Sequence, residues 1–336
     1  MPEAAHLKEI ALGIQTCLVC GGSRFRKLTP PPHPIGKGIF GPFLDEFAIC
    51  RCACGMEFLN PRPAPGLLDS FYGGKAYDCH RMNRSGIANR KAEWLLNLVS
   101  RYGPYSPQKR FLDFGCGGGY LIRHALDAGW AALGFDVGEA ALETCRAHGL
   151  PVTNRFGDLI PGSFDVIVMN HVLEHIEEPA GLLERLRGLL GPHGKLVIEV
   201  PNVRSARARL ALPVLSRHAG FDDRHRAFPI HLWYFNPQTM RRFLRNQGFD
   251  PVLVTTVGMG LEELILRKEE EPTAPARSAS TSQNRQPPSR SALSPVKNAI
   301  KKLFLNHGLG ENVISLSRPA LELSTCPVSR WDAIGA

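Results

Sequence analysis

An α/β fold, a mostly parallel sheet with helices on both faces, is what this sequence predicts, and three observations carry the prediction. Short apolar runs alternate with helix-patterned runs from about residue 85 to 257, as they do when strands are buried on both sides. One such run, RFLDF at 110–114, passes straight into a glycine-dense turn, GCGGG at 115–119. The next, at 132–135, is closed by an acid, Asp136.

Taken in order, 110–114 reads as a strand and 121–128 as the helix entered from the glycine turn. Residues 132–135 and 164–169 are further strands, 180–190 has helical spacing, and 195–200 is a strand again. Asn236 followed by Pro237 predicts a capped helix start. Residues 249–257 read as a later strand with 312–317 as its partner, so the chain between them is an insertion. Within it, 271–292 is poor in bulky apolar residues and is expected to be disordered. A protein partner could dock through 271–310. The chain therefore divides into a cysteine-rich module at 1–65, a helical connector that covers the site at 66–108, and a main domain at 109–336.

The chain has 336 residues, of which 43% are hydrophobic, enough for one sizeable core and a small accessory module. Lys and Arg number 40 against 31 Asp and Glu, a net charge of +9. That excess is compatible with an anionic substrate without requiring nucleic acid. No block of five basic residues and no stripe of basic and aromatic residues appears. The Arg-rich run 204–209 reads as a solvated helix face. No apolar run is long enough to span a membrane, and the N-terminus lacks a signal-peptide pattern. The nine cysteines are odd in number and clustered, which fits a reducing, cytoplasmic setting.

Five of those cysteines fall in the first 65 residues. Cys17-Leu-Val-Cys20-Gly21-Gly22 is a metal-knuckle pattern, and Cys50-Arg-Cys52-Ala-Cys54-Gly55 is a less regular second half. Two pairs about thirty residues apart suit a tetrahedral zinc site. Cys17, Cys20 and Cys54 are three ligands; Cys50 or Cys52 supplies the fourth, with Cys52 preferred. Four thiolates would leave no open position, so the zinc would be structural.

The glycine turn marks a nucleotide-type cofactor site, because glycine lets the backbone approach a ligand closely. Asp113 stands at the end of the strand, just before the glycines. An acid there suits the cationic amino group of S-adenosylmethionine and is poorly placed for a pyrophosphate. Asp136 can accept from both ribose hydroxyls. Asp158 is expected at the rim near the adenine amino group, with Leu159 against the ring. Cys116 would pack beneath the cofactor.

With LDFGCGGG at 112–119, GFDVGEAALE at 134–143, FDVIVMNHVLEHIEEP at 164–179, GPHGKLVIEVPN at 191–202 and HLWYFNPQTMRRFLRNQGFD at 231–250, the chain resembles the class I S-adenosylmethionine-dependent methyltransferases. The resemblance covers roughly 72–257. It implies a Rossmann-like sheet of seven strands, the last antiparallel. Asp113, Gly115, Cys116, Gly117 and Gly119 would then surround the methionyl part, and Asp136 the ribose. Asp158 would meet the adenine and Asn170 would lie beside the cofactor, with Val137 and Leu159 counted among the cofactor-binding residues. Many members of the resembling group carry a zinc-ribbon-like module with CxxCG in both halves; here Arg51 stands where a thiolate is expected.

For the acceptor side, His171 and His175 are four apart and would share a helix face. Some quinone O-methyltransferases of this kind bind a divalent ion through two acids and a histidine in this block. Glu174 and His175 are retained here, but His171 replaces the first acid. His171 is a candidate base for a hydroxyl proton; lining the pocket without proton transfer is the alternative. His225 and His231 are candidates to reach the acceptor, and Arg224 or Arg226 to meet its carboxylate or phosphate. Tyr72 and Tyr77 could line the entrance. Glu199 receives no role.

The activity expected is methyl transfer from S-adenosylmethionine to a small or medium organic acceptor, first of all a hydroxyl oxygen. An RNA methyltransferase using the cysteine module to grip RNA, a sugar carbon methyltransferase, and a non-catalytic cofactor-binding scaffold are the alternatives. A dehydrogenase fits poorly.

Overall fold

The computed structural model describes residues 11–28, 41–64, 87–210, 225–258 and 305–320. The N-terminal part holds five short strands: β1 (Ala11–Leu12), β2 (Phe25–Lys27), β3 (Ile49–Cys52), β4 (Glu57–Leu59) and β5 (Arg62–Pro63). Helix α1 (Ile87–Ser100) leads into β6 (Arg110–Phe114), α2 (Tyr120–Asp127), β7 (Ala131–Phe135), α3 (Glu139–Ala147), β8 (Val152–Thr153) and β9 (Phe164–Asn170). Then come α4 (Pro179–Leu189), β10 (Leu190–Pro201), α5 (Ala206–Leu210), β11 (Trp233–Tyr234), α6 (Pro237–Asn246), β12 (Phe249–Val257) and β13 (Asn312–Pro319). Tyr72, Tyr77, Arg224 and residues 271–292 lie outside the described residues. Among the described residues, no helix is long and apolar enough to cross a membrane.

The main sheet has seven strands in the order β12-β13-β10-β9-β6-β7-β8. Neighbours from β10 to β8 pair in parallel, and β13 alone runs against both its neighbours. This is the sheet expected, with the last strand antiparallel. The strand order reverses between β6 and β9. At such a switch point a crevice opens outside the carboxyl ends of the strands.

The alternation of strands predicts two buried faces, and both are filled. Phe111, Val166, Val168 and Val197 turn to one side, where Leu95, Val99, Ile122 and Trp130 cover them. Leu112, Ile167, Met169, Leu196 and Ile198 turn to the other, against Leu183, Leu186, Phe235 and Phe243. Strand β10 begins five residues earlier than its apolar run predicts. The chain pairs Leu190 with Phe164, slips over Gly191–Gly194, and resumes at Lys195 with Val166.

One local expectation is corrected. Residues 171–175 do not form a helix with His171 and His175 on a shared face. His171 has φ 56°, and only Leu173–His175 makes a single 3-10 turn. A left-handed residue at the strand end breaks the helical repeat. Asn236 caps α6 as predicted, accepting from Gln238 N and Thr239 N, with Thr239 returning the bond in a capping box.

The cysteine module does not close within residues 1–65. Its four-stranded sheet has the order β11-β4-β3-β2, and β11 comes from the main domain. Strands β1 and β5 pair separately.

Candidate cofactor and acceptor site

The glycine turn leaves β6 at the switch point. Gly115, Gly117 and Gly119 have φ values of 81°, 48° and 75°, which side chains disfavour. A methyl group on Gly119 would lie 2.4 Å from Leu150 and 2.8 Å from Cys145, so this glycine seats α2 against its neighbours. At Gly117 a Cβ would meet nothing within 4 Å, which leaves an open cradle at the turn. The Asp136 carboxylate holds the turn in place, accepting from Gly117 N and Gly138 N at 2.8 Å each.

Asp113 is 3% exposed. Burial, then the nearby Asp136, pushes its carboxyl up to about 8. A cationic ligand group beside it would reverse that. Val137 follows Asp136 with 80% of its surface exposed, an apolar face available for an adenine ring. Asn170, at the end of β9, has a buried Oδ1 with no hydrogen-bond partner. The cradle, the buried acid, the exposed valine and this orphaned acceptor fit S-adenosylmethionine. Asp158 is exposed, accepting from Thr153 Oγ1 at 2.6 Å. Leu159 is buried with Phe114, Phe135 and Phe156, so its side chain belongs to the core. Cys116 is buried, and Cys145 donates to Gly117 O at 3.2 Å; both thiols therefore support the turn from below.

The neighbouring edge is polar: Glu174 and His231 are buried, and His171 and His175 are half-buried. His171 Nδ1 is 3.3 Å from Glu174 Oε1, and its Nε2 is 3.9 Å from Glu199 Oε1. Burial, and secondarily Lys91, holds the imidazole neutral, down to about 3. Burial lifts Glu174 to about 7, and its Oε2 is buried without a hydrogen bond. His175 Nδ1 faces Ile230 O at 3.4 Å, and its ring meets that of His231 edge-on, with centroids 4.6 Å apart. Glu174, His175 and His231 can bring one ligand atom each within 4.8 Å of one another. Burial lowers both histidines.

His231 Nδ1 contacts His225 O at 3.1 Å. His225 itself lies deeper, with Nε2 between Ser205 Oγ at 3.1 Å and Glu311 Oε2 at 2.9 Å. That nitrogen is engaged in bracing α5 and the start of β13.

Sequence reasoning passed over Glu199. It is 1% exposed, paired with Lys91 Nζ at 3.0 Å and accepting from Asn312 Nδ2 at 2.6 Å. The signal was a lone acid inside the apolar run LVIEVP; a charge in such a strand must be paired or functional. Lys91 and Asn312, by contrast, carry no local signal.

In the module, Cys17, Cys20, Cys52 and Cys54 bring their sulfurs within 4.8 Å of one another. Cys17 and Cys54 are 3.6 Å apart, Cys20 and Cys52 3.4 Å. Sulfurs about 2.3 Å from a tetrahedral zinc would stand roughly 3.8 Å apart, so the set fits that ion. Burial raises the Cys17 and Cys54 thiols, a penalty that a bound cation would relieve. Position along the strand separates Cys50 from Cys52: both share one face of β3, but Cys52 stands at the turn and joins the group, whereas Cys50, two residues back, lies outside it. Arg51, between them, instead donates to Glu57.

The sheet order and the glycine turn at its switch point, backed by Asp113 and Asp136, define a class: S-adenosylmethionine-dependent methyltransferases. A family profile described as "Methyltransferase domain" matches residues 87–254, half of the chain, and the chain belongs to that family. A ubiquinone biosynthesis O-methyltransferase of Nitrosococcus oceani is 30% identical over 176 residues, covering 48% of this chain and 69% of that protein. One from Pseudomonas aeruginosa is 32% identical over 112 residues, covering 30% of this chain; the chain spans about half, 48%, of that relative's length. Among solved structures, a methyltransferase from Archaeoglobus fulgidus aligns with TM-score 0.43 and 22% identity, over 67% of this chain and 93% of that one.

Proposed function

We propose that the chain methylates a hydroxyl oxygen of a small or medium organic acceptor, with His171 as the base. The observation that supports this most is the His171–Glu174 pair at the carboxyl end of β9. When bound, S-adenosylmethionine supplies an electrophilic methyl group on a sulfonium. Asp113, Gly115, Cys116, Gly117 and Gly119 would hold its methionyl part and Asp136 its ribose. Val137 and Asp158 would hold the adenine, with Leu159 supporting them from the core and Asn170 beside them. His171 donates from Nδ1 to Glu174 Oε1, which leaves Nε2 to take the hydroxyl proton. Alignment of acceptor and methyl group supplies much of the rate. His231 positions the acceptor side, and His225 braces the loop that carries it. The O-methyltransferase names of the relatives favour an oxygen acceptor. Cys17, Cys20, Cys52 and Cys54 hold a structural zinc, for which a reducing, cytoplasmic setting is suitable.

A second reading, RNA methylation, is favoured by one observation. A cleft lined by Arg24, Arg26, Arg51 and Arg204 opens beside the cysteine site.

Calorimetry with S-adenosylmethionine and with NAD tests the cofactor. One-site binding of the first alone is expected, and binding of NAD alone would sink the reading. Mass spectrometry of hydroxylated metabolites incubated with enzyme and cofactor tests the acceptor. RNA affinity that falls steeply with salt, with no methylated small molecule, would move the case to RNA.

A further inference from the structure

The segment that carries two of the histidines, His225 and His231, also supplies a strand to the sheet of the cysteine module. Strand β11 belongs to the same 225–235 segment as His225 and His231, yet it is an edge strand of the module's sheet. Trp233 stands opposite Phe58 and Tyr234 opposite Glu57. Leu59 N donates to Leu232 O at 2.9 Å. Arg226 donates to Glu57 Oε2 from Nη2 at 3.0 Å and from Nε at 3.3 Å, in a pair whose side chains are 3% and 5% exposed. The other oxygen of Glu57 accepts from Arg51 Nε at 2.9 Å.

On its inner side the same segment is tied to the acceptor edge. Leu232 N donates to Glu174 O at 2.8 Å, and Trp233 Nε1 donates to Ile176 O at 2.7 Å. The His175 and His231 rings are in contact. The segment 225–235 is therefore held from two sides, by the module outside and by residues 174–176 inside.

The outer grip originates at the metal-ligand turn. Cys52 and Cys54 sit in the β3–β4 turn, which is closed by Cys52 N to Met56 O and Gly55 N to Cys52 O, each 2.9 Å. Arg51 immediately precedes this turn, and Glu57 begins the strand that follows it. A cation among the four sulfurs would fix the turn, and a small segment with such a site derives much of its folding energy from the metal. Residues 113–119 and 136–138 make no hydrogen bond or ion pair with the described residues of the module.

We infer that metal occupancy of the four-cysteine site sets the placement of His231 through β4 and the Glu57–Arg226 pair, while the cofactor edge stays independent of it. Glu57 and Arg226 are positioning residues. The importance of the histidines rests on the methyltransferase reading; the coupling itself is read without turnover.

Hydrogen exchange by mass spectrometry on the full chain, zinc-loaded and chelated, tests the coupling. Chelation is expected to raise exchange at 225–235 about tenfold or more and to leave 110–137 within about twofold. Cofactor affinity by calorimetry should stay within about threefold. Glu57→Gln should keep its zinc, measured by atomic emission, yet show the same loosening at 225–235, and Glu57→Asp should restore part of the protection. Unchanged exchange at 225–235 on zinc removal, or in a zinc-retaining Glu57→Gln, overturns the coupling. Equal loosening of 110–137 overturns the independence of the cofactor edge. If neither form binds S-adenosylmethionine, the methyltransferase reading fails, while the exchange result still decides the coupling.

Discussion

The two edges that meet at the carboxyl ends of the strands are built in different ways. The cofactor edge is local: Asp113, the turn glycines, Asp136 and Val137 follow one another along β6, the turn and β7. Its geometry is set by backbone conformation, with three glycines at positive φ and one carboxylate stapling two amides. The acceptor edge is assembled from distant pieces. Lys91 comes from α1, His171 and Glu174 from the β9 exit, Glu199 from β10, His231 from the loop before β11 and Asn312 from β13. What sets that edge is the pairing of polar side chains across the sheet, Lys91 and Asn312 with Glu199 and His171 with Glu174. The contrast teaches that a generic ligand can be held by one short motif, whereas a particular acceptor requires side chains that only the folded sheet brings together.

The largest expected effect separates the edges directly. His171→Asn should lower turnover by about 10²- to 10⁴-fold, the usual range for removing a general base, with S-adenosylmethionine affinity unchanged by calorimetry. Equal loss of cofactor binding would erase the distinction. In the native enzyme the rate should rise with pH through about 7 as Glu174 ionises and accepts from His171 Nδ1. Glu174→Gln should abolish that limb of the pH profile.

Next is Gly119→Ala, on the cofactor edge alone. The new methyl meets Leu150 at 2.4 Å in a left-handed conformation. Strain of roughly 1–2 kcal/mol and overpacking of roughly 1–3 kcal/mol should lower the denaturation midpoint and abolish cofactor binding. A variant that melts and binds normally would show the turn to be less tightly built than its contacts imply.

A smaller effect reads Asp113. Its carboxyl stands near 8 in the folded chain against 3.8 ordinarily. The folded chain therefore keeps a proton that the unfolded chain releases above pH 4. The associated stability is fully present below that pH and is lost as pH rises through about 8. A cationic amino group favours the carboxylate, so cofactor binding near pH 7 should release close to one proton. Calorimetry in buffers of different ionisation heat measures it; buffer-independent heats would place the cation elsewhere. The smallest effect serves as a control outside both edges: Asn236→Ala removes the α6 cap and should cost about 1 kcal/mol in a denaturant melt, with cofactor affinity unaltered.

The same contrast governs what could be read in advance. Strands β6, β7, β9, β10, β12 and β13 were legible because apolar runs of strand length have few other fates, whereas the two-residue strands β8 and β11 carry too short a pattern to be read. The start of β10 at Leu190 was not legible, because its pairing with β9 passes through glycines and a register slip. The four-cysteine set was legible by type, and the place of Cys52 at the β3–β4 turn, beside Cys54, chose it over Cys50. Leu159 was legible as apolar but not as core, because its partners Phe114 and Phe135 lie more than twenty residues away.

By itself, the sequence determined the parallel sheet, the glycine turn, its two acids and the cysteine knuckles. Each depends on neighbours within a few residues: periodicity, positive φ, ligand spacing. Only the tertiary structure decided that Glu199 and Lys91 pair beneath His171, that His225 serves as a brace, and that a strand of the main domain completes the module's sheet. Those outcomes depend on which buried charges find partners across the sheet, and a charge taken out of water is held by whatever the fold places beside it.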